Sequence, residues 1–513
     1  MLATIRSGTR VRSGEEVQRR ANAVAGGLQA MGLGQGDVVA LLMRNDIAFI
    51  EIMLGAERAG VTAVPLNWHG SLDELRHILD DSEAKVVFAH ADLIGKYAEL
   101  VASCTKVIGV EVPAELAQAY NVPESACQVP DFVAEWESWL MEVPADVDHP
   151  LPQAFRLLYT SGSTGKPKGV LRRRGPDGAA EELAKTAREA HGLEIRPIRA
   201  VMTGPLYHSA PNSYALNCVR HGELLVLQPK FDAAELLELI ELHNITHLHA
   251  VPTMFSRLLA LPQEKREAHK LDSLRAVAHG SAMCPTAVKK AMIDWWGPVF
   301  FEYYATTETG IITCIDSHEW LAHPASVGRP PAGVSIRIVG PEGTALPPGQ
   351  QGEIQLLSKV ASLVEYKGLP EASRELLLED GWATLGDIGY TDQDGYLWLC
   401  DRKKDLVISG GVNIFPAEVE QCLVGHPAVT DAIAFGVADD DMGEVICASI
   451  ATNDPASVTE DSLRQWVRDR LGSLRTPKRI RIVTRLPRED TGKLARRKAR
   501  DAFLADVRGE AHV

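Results

Sequence analysis

None of the eight cysteines, at positions 104, 127, 218, 284, 314, 400, 422 and 447, forms a Cys-x-x-Cys pair. That scatter excludes a thiolate metal cluster and fits free thiols in a reducing compartment. No apolar run approaches the length that spans a bilayer. The N-terminus has no long apolar stretch behind a basic region, so no signal peptide is expected. The last residues, Ala511, His512 and Val513, do not spell a peroxisomal address. Positive charge is in deficit, with 53 Lys and Arg against 68 Asp and Glu and a net charge of -15, which weighs against a nucleic-acid partner. Short internal repeats and low-complexity linkers are also missing. A cytoplasmic protein without stable membrane insertion is expected, with peripheral membrane contact and homo-oligomerisation left open.

The chain is long, at 513 residues, and exceeds what one growing core supports, so two or more domains are expected. Its 42 glycines suit the tight connections of an α/β protein. Helical periodicity over Val17, Ala21, Val24, Ala25 and Leu28 ends near Gly32. Strand-like runs at 38–43, 62–66 and 84–89 alternate with helical stretches at 47–59 and 72–79. The rhythm resumes with strands at 224–227, 247–251 and 274–279 and helices at 233–243 and 252–259. This predicts a mostly parallel, helix-covered sheet arrangement, built as two related layers. Residues 334–339 and 352–357 alternate more clearly around Gly343, Pro347, Pro348 and Gly349, which predicts hairpins or a small barrel-like part. After Arg402 a small α+β unit is expected, with helices at 416–423 and 463–471 and strands at 429–436, 444–450 and 479–483. The domains are therefore taken as 1–402 and 403–513. Between Arg464 and Arg500 lie fourteen Lys or Arg and three Asp or Glu, either a solvated face or a surface that meets a polyanionic ligand.

The most informative stretch is Tyr159-Thr160-Ser161-Gly162-Ser163-Thr164-Gly165-Lys166-Pro167-Lys168-Gly169-Val170. Glycines let backbone N–H groups approach phosphate oxygens, hydroxyls donate to the same oxygens, and Lys166 and Lys168 supply positive charge. It is not a Walker A loop, because Gly165-Lys166 is followed by Pro167. The segment resembles the signature loop of the adenylate-forming superfamily, which holds acyl- and aryl-CoA synthetases, peptide-synthetase adenylation domains and firefly luciferases. Other motifs of that superfamily follow in order across nearly the whole chain, closest in kind to its AMP-dependent acid:CoA ligases.

The resemblance implies a large adenylate-forming domain and a small mobile one, and assigns roles to particular residues. Thr160, Ser161, Gly162, Ser163, Thr164, Gly165 and Lys168 would hold the ATP phosphates, with Thr164 also facing the metal. Tyr304-Ala305-Thr306-Thr307-Glu308-Thr309-Gly310 resembles the second signature, in which Glu308 would bind Mg2+ and Thr307 a phosphate. Ala305 replaces a usual glycine. Gly280, Ser281 and Ala282 resemble the strand-loop that passes along adenine and acyl group, and Tyr303 or Tyr304 would pack against the nucleotide. Asp387 would accept hydrogen bonds from the ribose hydroxyls, although Leu385 stands where the family often has threonine. Arg402 would face ribose or phosphate, and Lys404 would be the hinge between the domains. Lys403 reads as a solvated charge. Gly410 and Gly411 would line the passage for the CoA pantetheine, a side chain at Gly411 blocking it. Pro416 would open the next helix. Lys493 would bridge the acid carboxylate and the α-phosphate as charge builds. His208 would gate the acid and the thiol path without acting as a general base.

The expected reaction is ATP-dependent activation of a hydrophobic carboxylic acid to acyl-AMP, with pyrophosphate release, then transfer to CoA. CoA is favoured because no carrier domain follows Lys493, though a separate carrier protein is an alternative. Medium or long fatty acids, sterol side-chain acids and aromatic acids all fit. Leu206, Tyr207, Met254, Phe255, Ala305 and residues 327–331 suggest an apolar pocket wall, or equally a core. The run Arg172-Arg173-Arg174 stands where many members have Thr-His, and reads as a solvated loop ahead of membrane contact or CoA phosphate recognition. A luciferase-like oxidase and a nonenzymatic acyl-adenylate-binding protein are the alternatives of other classes. The second is disfavoured because Lys493, Glu308 and Asp387 are all present.

Overall fold

Strands covered on both faces need no polar alternation, so continuous apolar runs such as Val38–Leu42 become interior strands. The structure is a computed structural model that describes residues 2–104, 106–143, 153–160, 166–176, 178–488 and 494–507. Five strands form one wholly parallel sheet, in the order Thr62–Pro65, Val38–Leu42, Val86–His90, Val107–Val110 and Ala134–Glu135. A second sheet has eight strands, in the order Gly310–Asp316, Phe300–Thr306, Ala276–His279, His247–Ala250, Arg199–Met202, Leu224–Leu227, Thr4–Ser7 and Arg10–Arg12. Its middle is parallel and its two edge pairings are antiparallel.

One apolar core joins the two sheets. It contains Val39, Leu41 and Phe88 of the first, Ala200, Met202 and Leu225 of the second, and the buried faces of helices Gly14–Ala30, Ile47–Arg58 and Ser209–His221. Local chemistry sets the helix starts. Ser13 caps the first of these helices, Asp46 the second, and Ser71 with Glu74 forms a full capping box on Leu72–Ser82. Among the described residues no helix is long and apolar enough to cross a membrane.

Two smaller antiparallel sheets follow. Val364–Tyr366, Lys168–Arg173 and Phe155–Thr160 make a three-stranded sheet. Val334–Val339, Gly352–Ser358, Ala383–Thr391 and Leu397–Arg402 make a four-stranded one. This second sheet is the hairpin-rich part, and among the described residues its two outer strands do not pair with each other.

A turn at Lys403–Asp405 leads out of that sheet into the last lobe. There, Val412–Ile414, Val407–Ser409, Gly443–Ala451 and Asp431–Asp439 form an antiparallel sheet, to which Ile480–Val483 adds in parallel. Helices Pro416–Val424, Glu460–Leu471 and Arg496–Val507 accompany it around separate cores. The molecule is thus a large N-terminal α/β domain with mixed sheets, followed by a smaller α+β domain.

Candidate active site

In open α/β sheets, ligands sit beyond the carboxyl ends of parallel strands. Strands Arg199–Met202, His247–Ala250, Ala276–His279 and Phe300–Thr306 lie side by side and parallel. The segments leaving three of them carry His208, Gly280 to Ala282, and Thr307 with Glu308. The fold therefore brings these sequence-distant candidates to one edge.

Gly280 shows why that edge needs its sequence. A Cβ there would lie 2.6 Å from the Tyr303 carbonyl oxygen and 2.8 Å from its ring, so only glycine lets the strand-loop lie on Tyr303. Ser281 takes φ +68°, and Ala282 is exposed. The two tyrosines separate in role. Tyr303 is buried, and its hydroxyl pairs with His249 Nε2 at 2.7 Å. Burial pulls the His249 imidazole down to about 4, so it is neutral at physiological pH. Tyr304 reaches the other way and donates its hydroxyl to Asp387 Oδ2. Arg402 Nε lies 3.2 Å from Asp387 Oδ1. The carboxylate read as the ribose ligand thus joins the second signature to the last residue before the lobe junction. Burial, then Asp387, pushes the Tyr304 phenol up, so it stays a donor. Leu385 packs among Tyr304 and Ile336 in the adjoining cores, and no hydroxyl stands there.

Glu308 occupies the tight turn between Phe300–Thr306 and Gly310–Asp316. Thr309 N–H donates to Thr306 Oγ1 at 3.1 Å, and the two hydroxyls are 2.9 Å apart. Tyr366 donates its hydroxyl to Glu308 Oε1 at 2.9 Å. Arg172 Nη2 donates to the Thr307 carbonyl at 2.9 Å. Burial pulls the Arg172 guanidinium down to about 10, Arg156 on the neighbouring strand adds to the fall, and Glu308 opposes it. The arginine run is therefore not one solvated loop. Strand alternation turns Arg172 inward beside the Glu308 turn, while Arg173 points out and pairs with Glu365 at 2.6 Å.

Thr160 pairs with Lys168 in the three-stranded sheet, which brings both ends of the phosphate segment together. Tyr159 donates to Asp81 at 2.5 Å, and His77 Nε2 lies 3.0 Å from the Pro167 carbonyl. Lys168 Nζ sits 5.3 Å from the centre of the Tyr366 ring. Ser161, Gly162, Ser163, Thr164 and Gly165 lie outside the described residues, as does Lys493. Burial lowers the Arg257 pKa, and Arg488 and Arg485 lower it further, placing their charges near helix Pro252–Leu259.

His208 is the N-cap residue of helix Ser209–His221, and its ring lies 4.4 Å from that of Tyr207. Its loop is held by residues the sequence did not single out. Buried Asn45, beyond strand Val38–Leu42, accepts from Leu206 N–H at 2.8 Å and donates to the Gly204 carbonyl at 2.9 Å. Asn212 donates to the Leu206 carbonyl at 2.9 Å. A lone asparagine after a strand carries no sequence signal for this.

Of the two readings for the apolar residues, the core one holds: Leu206 and Phe255 are fully buried in core clusters, and Tyr207, Met254 and Val327 also belong to cores. Lys403 is exposed, as read from the sequence, and its ammonium also pairs with Glu353 at 3.0 Å. Lys404 lies in the junction turn. At Gly411 a Cβ would meet nothing within 4 Å in this arrangement of the lobes, and φ +82° by itself favours glycine there. At Gly410 a Cβ would lie 2.6 Å from Met442 Cε.

The donor set fits magnesium. Glu308 offers a hard carboxylate with one oxygen held by Tyr366 and the other without a partner among the described residues. No group of three or more His, Cys, Asp or Glu able to hold a metal occurs among those residues. A single protein carboxylate suits Mg2+, which takes most of its ligands from water and substrate phosphates.

The family model of AMP-binding enzymes matches residues 2–359, and that of the AMP-binding enzyme C-terminal domain matches residues 418–493. The chain belongs to the AMP-binding enzyme family. This AMP-binding enzyme is 33% identical over 493 residues to a feruloyl-CoA synthase of Amycolatopsis, covering 95% of this chain and 93% of that protein. It is 31% identical to a fatty acid–[acyl-carrier-protein] ligase of Streptomyces coeruleorubidus, with 96% and 92% covered. Its structure resembles that of an amide bond synthetase from Marinactinospora thermotolerans, with a TM-score of 0.84 at 26% identity over 98% of this chain and 97% of that one. It is an enzyme of the adenylate-forming ligase class, for which ATP and Mg2+ use is typical.

Proposed function

We propose that this AMP-binding enzyme activates a hydrophobic carboxylic acid and hands the acyl group to CoA. In the first half-reaction a carboxylate oxygen attacks the α-phosphorus of ATP, the bond to the β-phosphate oxygen breaks, and pyrophosphate leaves. In the second, the CoA thiol attacks the acyl carbonyl, loses its proton, and AMP leaves. The observation that carries this reading is Asp387 bonded at once to Tyr304 of the second signature and Arg402 at the lobe junction. A nucleotide held there touches both the activation edge and the hinge.

The protein's part is alignment and charge neutralisation rather than making a strong nucleophile. Lys168 and Lys493 would supply cations, and Glu308 would hold Mg2+, which when bound neutralises the phosphate charge. His208, fixed by Asn45 and Asn212, would gate the acid. Lys404 would let the small domain present Gly410 and Gly411 for the second step.

Among acids, the aromatic alternative gains support from the floor beside Gly280. That floor is the ring of Tyr303, whose hydroxyl pairs with His249, while Leu206 and Phe255 lie in core clusters. A ring-bearing acid packs against such an aromatic floor better than a long saturated chain does. The feruloyl-CoA synthase likeness agrees.

The test is pyrophosphate release across benzoates, hydroxycinnamates, sterol side-chain acids and fatty acids, with mass spectrometry of the product after adding CoA, a phosphopantetheinylated carrier protein or an amine. Acid-dependent release followed by a CoA thioester supports the proposal. A product formed only with carrier or amine reassigns the acceptor, and silence across the panel removes the reading.

A further inference from the structure

The carboxylate of Glu308 sits at the tip of a turn, where an unrestrained side chain would sample several rotamers. Two groups from outside its own sheet remove that freedom. Tyr366 holds Oε1 at 2.9 Å, and Arg172 holds the Thr307 carbonyl at 2.9 Å. Both belong to the three-stranded sheet, in which Tyr366 pairs with Val170 and Val364 with Arg172. The same central strand begins at Lys168, whose partner is Thr160. The sheet that carries both ends of the phosphate segment therefore also grips the metal-binding turn.

We propose that Tyr366 and Arg172 are positioning residues that clamp Glu308, so that metal and phosphate segment keep one fixed spacing. The inference rests on the function proposed above. Tyr366 directs one carboxylate oxygen away from the metal and leaves the other to bind it. Lys168, over the Tyr366 ring at 5.3 Å, fixes the ring and adds charge on the phosphate side. Arg172 holds the turn from behind; its Nε–H is buried and has no partner among the described residues. A purely structural role for Tyr366 would lie in its ring, which packs on Val170, Val364 and Leu376. Tyr366→Phe keeps that ring and removes the hydroxyl.

The experiment measures ATP binding by calorimetry at increasing Mg2+, and Mn2+ binding in the presence of ATP by electron paramagnetic resonance. Wild type, Tyr366→Phe, Glu308→Gln and the double variant are compared. A hydrogen bond to a charged group predicts that Tyr366→Phe raises the half-saturating Mg2+ roughly tenfold, with metal-free ATP binding and melting temperature unchanged. In the Glu308→Gln background the same change adds nothing, because the hydroxyl acts through that carboxylate. An unshifted metal midpoint in folded Tyr366→Phe overturns the clamp while leaving the proposed function intact. Should that variant not fold, Arg172→Lys carries the same expectation from the carbonyl side, and an unshifted midpoint there overturns the clamp equally. Wild-type ATP binding that ignores Mg2+ removes both the clamp and the function it rests on.

Discussion

At Asp387 one carboxylate meets a tyrosine from the eight-stranded sheet and an arginine from the lobe junction, so three motifs read separately become one contact. Phe255 goes the opposite way. Read as a possible pocket residue, it lies fully buried, edge-on to His279 and Phe300 at 5.3 and 5.5 Å. Phe255→Ala should cost about 3–5 kcal/mol by denaturant unfolding and leave the ranking of acids unchanged. A changed ranking at unchanged stability would return it to the pocket. Lys493→Ala should suppress acyl-adenylate formation far more than thioester formation from supplied acyl-adenylate. Equal losses in both assays would contradict its role. Motif residues were legible in sequence because their chemistry is local and ordered along the chain. Arg172 was not, since three adjacent arginines read as a charge run until strand alternation sends one inward. Asn45 was not, because its partners are the backbone of a loop more than a hundred residues away.

Long elements followed their sequence patterns closely. The run at Val38–Leu42, the helix at Pro252–Leu259 and the paired strands Val334–Val339 and Gly352–Ser358 each lie where periodicity and turn residues put them. The short ones did not announce themselves. The three-residue strands Val407–Ser409 and Val412–Ile414 flank Gly410-Gly411 with too few residues to show a period. Thr4–Ser7 enters the second sheet beside Leu224–Leu227, a pairing set by tertiary packing and not by local propensity. The parallel strands also bury histidines. Burial lowers His247 and His249 to about 4, and His191 beneath them to about 3. Such a group is neutral in the fold while the unfolded chain still binds a proton, so its stabilisation is intact above the ordinary value of 6.5 and is lost as pH falls toward the folded one. Each fully buried histidine should remove about 1.4 kcal/mol per pH unit within that window. Denaturant midpoints from pH 7 to pH 4 should fall, and His191→Phe should fall less steeply. An identical slope would mean that His191 takes up its proton in the fold as readily as in the unfolded chain.

Across the whole molecule, two domains with separate cores meet at a short turn whose near end is tied to the candidate nucleotide site. Arg402 bonds Asp387, Lys403 bonds Glu353, and Lys404 follows. If reorientation about this turn divides the two half-reactions, Lys404→Pro, by fixing φ and removing a donor, should leave acid activation largely intact and lower thioester formation at least about a hundredfold. A parallel fall in both, measured by pyrophosphate release and by thioester yield, would argue that the turn does not move between steps. If an acid opens ATP at its α-phosphate, the nucleotide products of acid-dependent ATP consumption with no thiol added, resolved by chromatography, should be AMP, free or acyl-linked, and pyrophosphate in equal amounts, with formation lost in Lys493→Ala. ADP with inorganic phosphate, or AMP formation indifferent to acid, would contradict it.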